Sequence, residues 1–434
     1  MVETPPFTDL QKRFNEALSN KNDVMSRKYI CDNAAVLRRQ TARMDLKSAQ
    51  EKFRRIKEYS IQNLETLVKQ AKASFEKNGC IVHVCRNADE ALKTVTELVK
   101  GEEFVLKSKS NEVKEIGLPE TLESQGIKVI ETDLGDRALQ LTGDKPFHAQ
   151  GPAVLVPAAK IAEAFSKNLG QPVKPMPHDI VAAARKGFRD LFFKAKVGIT
   201  GANAIAAEGA IVLVENEGNI SNITRLCDRH IVVAGINKVV PTFEDAFHVA
   251  RTNEHFLGIL GTYISVIAGP SRTRDIQGLE VLGVHGAKEV HVVLVDDWRT
   301  RAKQEGFEES LYCVHCSSCF YDCPVFRQVG SDYGYKYKNF GGIGVIHTAF
   351  QKGLKEAARA GLFACTVCKG CVDKCPGKID TPGMILKLRR KAIEEGIKPP
   401  IYDATLENID KSGNVFNLSS DDRLEWIETG EPSF

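Results

Sequence analysis

Two short stretches carry the residues best able to do chemistry. They are "CVHCSSCFYDCPVF" (313–326) and "CTVCKGCVDKCPGKI" (365–379). Each places four cysteines in the spacing C-x2-C-x2-C-x3-C, and a proline follows the last. Thiolates are soft ligands that suit iron–sulfur clusters and zinc. Two-residue spacers bring three thiolates onto one face of a metal–sulfur cube, and the following proline turns the chain away while offering no N–H. Structural zinc is the competing reading, because it also favours C-x2-C pairs but needs only four ligands per site. Two complete quartets with proline in register favour iron. A purely structural cluster is a further alternative.

The same spacing occurs in bacterial ferredoxins, where the fourth cysteine of each run serves the other cluster. It predicts one 4Fe–4S cluster on Cys313, Cys316, Cys319 and Cys375. A second is expected on Cys365, Cys368, Cys371 and Cys323. The 41 residues between Cys323 and Cys365 are mostly of helical character. That spacer makes the region similar to the helical ferredoxin modules of respiratory enzymes. His315 reads as facing solvent, with a hydrogen bond that tunes one cluster as the alternative. Lys374, Lys378 and "KLRRK" (387–391) either offset cluster charge and guide an anionic partner or form a solvated helix face.

The rest of the chain must position these runs. The four other cysteines (Cys31, Cys80, Cys85, Cys227) are scattered, so no disulfide framework is expected. A net charge of +3 over 434 residues argues against nucleic acid or an anionic membrane as the partner. The longest apolar stretch, "FLGILGTYISVIAG" (256–269), is too short and glycine-rich to cross a bilayer. With no secretory pattern at the start, the expectation is a cytoplasmic protein that meets a membrane only through a partner.

Residues 1–76 read as a helical region rich in Lys, Glu, Gln and Ala, whose charges suggest a solvated face. Residues 77–298 alternate apolar, β-branched strands with helices, the pattern of an α/β domain around a largely parallel sheet. Strands are expected at "CIVHVC", "EFVLKS", "IKVIET", "GPAVLVP", "GAIVLVENEGN", "HIVVAGINKVV" and "EVHVVLVDD". Residues 299–400 form the cysteine-bearing helical module, and 401–434 a tail without clear periodicity.

The segments "LKSKSNEVKEIGLPETLESQGIKVIETDLGDRALQL" (106–141) and "GITGANAIAAEGAIVLVENEGN" (198–219) resemble the LUD domain of lactate-utilisation iron–sulfur proteins. The resemblance continues through "PSRTRDIQG", "HVVLVDD", the first cysteine run and "YGYKYKNFGGIG". It implies an α/β domain of the isomerase and CoA-transferase type, and work with partner subunits that oxidise lactate to pyruvate. Ala207 stands where the family usually carries an acidic residue, and Ile220 and Ser221 follow "NEGN" where it usually has a basic one. The second cysteine run is complete, unlike that of many relatives. The tail segment "LENIDKSGNVFNLSSDDRLEW" (406–426) resembles the part after the clusters in glycolate-oxidase and heterodisulfide-reductase proteins. That likeness implies a docking surface for a separate subunit carrying paired cysteines.

Ligands of open α/β sheets bind outside the carboxyl ends of the strands. Lys107, Lys109, Thr200, Asn203, Glu217 and Asn219 are the candidates to line such a crevice, unless they only shape turns and cap helices. Hydride chemistry belongs to flavins or nicotinamides, and a cluster takes one electron at a time. No dinucleotide fingerprint or phosphate loop is evident. The leading expectation is therefore an electron-transfer subunit of a complex that oxidises lactate or a related 2-hydroxy acid. Its partner would be a flavoprotein dehydrogenase, a paired-cysteine subunit, or both. The competing readings are an α/β domain that itself acts on a small carboxylate or acyl substrate, and an iron–sulfur scaffold or redox sensor.

Overall fold

The computed structural model describes residues 5–419 and 421. Its centre is a six-stranded sheet in which every neighbouring pair is parallel. From edge to edge the order is Ile81–Cys85, Glu289–Val295, Arg229–Gly235, Val197–Thr200, Phe104–Lys107 and Lys128–Glu131. The inner strands are covered on both faces, which is why they read as unbroken β-branched runs rather than alternating ones. All four residues of Val197–Thr200 are buried, as are six of the seven in Arg229–Gly235. This strand at 197–200 was not anticipated as a separate element. The stretch 151–157, expected as a strand, is a set of turns. Its apolar residues face a crevice and have no neighbouring strand.

A second, mixed sheet grows from the carboxyl ends of two central strands. It runs Val239–Val240, Ala204–Ala206, Ala210–Glu215 and Tyr263–Ile267. Ala210–Glu215 pairs antiparallel with both of its neighbours. This sheet stands beyond the end of the main sheet and walls one side of the space above it.

Four helices, Pro6–Ser19, Lys21–Thr41, Leu46–Gln62 and Leu64–Lys77, open the described chain. Their charged residues do not simply face water, contrary to the expectation. Arg27 bonds the Gln328 carbonyl at 2.7 Å, and Arg38 pairs with Asp322 at 2.5 Å. Arg54 pairs with Glu309 at 2.6 Å, and Gln50 reaches the Cys375 carbonyl at 2.6 Å. The helices thus clamp the cysteine module through arginines paired with its carboxylates and through Arg27 and Gln50, which satisfy its carbonyls.

The spacer between the cysteine runs contains a small hairpin, Gly334–Tyr335 with Asn339–Phe340, and the helices Gly341–Lys352 and Leu354–Ala360. Thr381–Glu394 follows the second run, with proline in its first turn. The start of the tail, expected to lack periodicity, is a helix, Ile401–Ser412, with no buried residue. Trp426 lies outside the described residues. Among those described, no helix is long and apolar enough to cross a membrane.

Candidate functional site

The eight clustered cysteines are free thiols gathered around two adjoining cavities. Cys313, Cys316, Cys319 and Cys375 line the inner one. Cys323, Cys365, Cys368 and Cys371 line the outer one. Each cavity is therefore bordered by cysteines of both runs. Cys319 and Cys371 border both cavities, so the two spaces are neighbours. The inner set is deep, with Cys316 at 8% exposure, whereas Cys368 of the outer set is exposed.

The loops that carry these sulfurs are built alike. His315 and Val367, the second spacer residues of each run, have φ of 58° and 56°; Ser317 and Lys369 have 65° and 63°. Left-handed backbone at such residues, above all at a β-branched valine, persists only where surrounding structure enforces it. In the first loop it coils the chain so that amide N–H groups meet sulfur. The His315 N–H donates to Cys313 Sγ at 3.4 Å. The Ser318 N–H donates to Cys316, those of Val325 and Phe326 to Cys323, and those of Gly377 and Ile379 to Cys375. Such donors favour thiolate over thiol and tune iron–sulfur clusters.

Burial and mutual repulsion work the other way. Burial pushes Cys316, Cys371 and Cys375 up to about 12 and Cys323 up to about 11. Cys319 is raised by burial and then by Cys316, Cys375, Cys313 and Cys371. Eight thiols this close deprotonate together only around positive charge, which iron supplies. Among the described residues, no three His, Cys, Asp or Glu side chains converge on a single ion position. Zinc takes four ligands at one point, whereas a 4Fe–4S cluster takes one thiolate at each of its four irons, and the cysteines bordering each cavity are enough for that. The donor set fits 4Fe–4S clusters.

Two lysines approach the inner set from elements far apart in sequence. Lys57 is fully buried, and its ammonium donates to the Asn237 carbonyl. Burial, then Lys238, lowers it to about 7, and Cys313 acts in the opposite direction. Lys238 pairs with buried Glu112 at 3.3 Å and donates to the Val314 carbonyl at 3.3 Å. Below them, Arg299 pairs with Glu115 at 3.1 Å, and Trp298 donates to Glu115 at 2.9 Å. His315 does not face bulk water, contrary to the expectation. It lines the inner cavity and the crevice described next, and its ring lies 5.3 Å from that of buried His347. Of the basic residues near the second run, Lys374 is exposed and Lys378 has a left-handed backbone. Within 387–391, Arg389 bonds the Cys365 carbonyl at 2.6 Å, and Lys391 pairs with Glu305 at 2.8 Å.

The crevice, about 520 Å3, opens at the carboxyl ends of the parallel strands. Of the six residues singled out for it, Lys109, Asn203, Glu217 and Asn219 line it. Lys107 and Thr200 lie behind the wall. Lys107 is held by both oxygens of Glu131 at 2.9 Å, and Thr200 by His230 at 2.8 Å. Lys109 pairs with Asp133 at 2.9 Å. Asn203 accepts the Val214 N–H at 2.9 Å, and Asn219 donates to Thr132 at 3.1 Å. Glu217 accepts the Leu134 N–H at 3.0 Å. Burial, followed by Asp133, raises its carboxyl to about 7. Val314 and His315 form the far wall, so one peptide segment separates this space from the inner sulfurs. Sequence reasoning missed Lys57, Lys238 and this shared wall, because their partners lie far away along the chain.

A parallel α/β domain with a crevice at its strand ends, joined to two cavities of clustered cysteine, defines the class of an iron–sulfur protein. Comparison with known proteins makes this specific. Residues 68–295 match the LUD domain family model, and residues 309–379 match the 4Fe-4S dicluster domain. The chain belongs to the LUD domain family. It is 34% identical over 355 residues to Lactate utilization protein B of Oceanobacillus iheyensis, covering 80% of this chain and 72% of that one. The same protein of Geobacillus sp. (strain WCH70) matches at 34% over the same shares, and that of Bacillus cereus at 31% over 353 residues. A DUF162 family protein from Deinococcus radiodurans, solved by crystallography, aligns over 54% of this chain and 98% of its own, with 13% identity and a TM-score of 0.30.

Proposed function

We propose that the protein is an iron–sulfur electron-transfer subunit for the oxidation of lactate or a related 2-hydroxy acid. In this reading it carries two 4Fe–4S clusters, an inner one on Cys313, Cys316, Cys319 and Cys375 and an outer one on Cys323, Cys365, Cys368 and Cys371. One observation carries it: the two sets are adjacent, one abutting the crevice wall and the other reaching the surface at Cys368. That is the layout of a path for single electrons between the interior and a docked partner. The clusters, when bound, supply one-electron redox chemistry. The chain's own residues hold the sulfurs, direct N–H groups at them and exclude water from the inner set.

Oxidation of a 2-hydroxy acid releases two electrons and two protons, commonly as hydride plus a proton. This calls for a partner with a flavin or paired cysteines. The helix Ile401–Ser412 supports a docking role for residues 401–434. Ile401 and Leu406 are 64% and 58% exposed, and Tyr402 packs on Phe363 at 5.7 Å between ring centres, two residues from Cys365. The test is anaerobic reconstitution with iron and sulfide analysis. About eight of each per chain, with signals reducible by dithionite in EPR, is the expected result. Zinc without iron would end the reading.

A further inference from the structure

The crevice is poorly matched to the small anion that a lactate-oxidising complex consumes. Five carboxylates line it (Glu112, Asp133, Glu215, Glu217 and Glu254) against two lysines, Lys109 and Lys238. Both lysines are already paired, with Asp133 and Glu112. Glu215 and Glu217 are held only by backbone or hydroxyl donors among the described residues, Ser221 and Leu134. A carboxylate entering this space meets like charge and finds no unpaired cation. Its volume, about 520 Å3, lies in the range of sites for ring-sized ligands and exceeds what a three-carbon acid fills.

The rest of the lining suits a neutral ring. Its mouth carries apolar side chains open to solvent: Val154, Val181 and Ile259 are 54%, 49% and 43% exposed. Inside, Ser108 Oγ and Asn253 Oδ1 are buried and without hydrogen-bond partners, and both residues line the space. An orphaned hydroxyl and an orphaned acceptor are costly unless a ligand meets them. Val314 and His315, which flank the inner cysteines, line the same space.

We propose that this crevice binds the ring of a quinone, with Ser108 and Asn253 as its polar contacts, and that it exchanges single electrons there with the inner cluster. The proposal rests on the electron-transfer reading above. Ser108 donates to a quinone carbonyl, and Asn253 accepts from the hydroxyl that forms on reduction. Reduction takes two electrons, delivered one at a time through the inner cluster, and two protons. Glu217 supplies one proton and water the other. The electrons originate in the 2-hydroxy acid oxidised by the partner, whose two released protons balance those taken up.

The test uses the iron-loaded full chain and 2,3-dimethyl-1,4-naphthoquinone, which has no free ring position for a thiol to attack. Calorimetric titration of the oxidised protein reads binding. Anaerobic mixing with dithionite-reduced protein reads cluster reoxidation by visible absorbance and EPR. The expected result is saturable binding and saturable reoxidation. Ser108→Ala should weaken both about fivefold, the loss of one hydrogen bond. Val154→Asp, at the exposed mouth, should weaken them while leaving the EPR signals unchanged. Lactate and flavin mononucleotide should not compete. Reoxidation that rises linearly with quinone and is equal in both variants would overturn the proposal, as would competition by lactate or flavin mononucleotide. Absence of any reducible signal would instead remove the electron-transfer reading on which it stands.

Discussion

Lys57 offers a sharp prediction because its charge has no carboxylate partner among the described residues. Its normal value of 10.5 falls to about 7 on burial. Between those values the folded state releases a proton that the unfolded chain keeps. The lysine therefore costs about 4 kcal/mol at pH 7, and the cost fades as pH rises toward 10.5. Lys57→Met removes that cost and gives up one hydrogen bond to the Asn237 carbonyl, worth about 1 kcal/mol. Iron-free protein should thus gain about 3 kcal/mol at pH 7. Its stability should also lose the rise with pH that the wild type shows between pH 7 and 10. Iron-loaded protein should behave differently. A cluster on Cys313 brings negative charge that returns Lys57 to its protonated state, so the substitution should give no gain. It should also lower the midpoint potential of the inner cluster, since an added electron loses a nearby positive charge. The assays are urea unfolding across pH for both forms and an EPR-monitored redox titration. An equal stability gain in both forms with an unchanged potential would refute the reasoning.

Further outcomes follow from the same geometry. Val367→Gly should stabilise the iron-loaded protein by about 1 kcal/mol, because glycine holds a positive φ without strain; destabilisation in urea would show that the side chain matters more than the backbone. Glu115→Leu should cost about 3–5 kcal/mol by leaving Arg299 buried and unpaired, and a neutral effect in the same assay would contradict that pairing. Exposure of Cys368 predicts that a chelator strips iron in two phases, the fast phase slowed by a docked partner; a single phase would count against unequal access.

Much of the scaffold was legible in the chain. Runs such as "HIVVAG" and "HVVLV" announce strands covered on both faces, and the doubled cysteine spacing announces that the two runs come together. Other features were not. Residues 151–157 are apolar for the crevice rather than for a sheet, and periodicity does not separate those causes. Val197–Thr200 hides between a lysine-rich helix end and a glycine turn. The inward cations of the first helices gave no local sign, since Arg54 meets Glu309 only after the chain has built the whole α/β domain. The crevice candidates were half apparent: the turns at strand ends were the right neighbourhood, but register sent Lys107 and Thr200 into the wall.

The central claim is that each cluster borrows its fourth sulfur from the opposite run. Cys375→Ser and Cys323→Ser, examined by EPR and iron analysis after reconstitution, test it most directly. The account predicts that Cys375→Ser, though in the second run, alters the buried inner cluster and spares the chelator-sensitive outer one, while Cys323→Ser does the reverse. Damage confined in each variant to the cluster of the same run would contradict it.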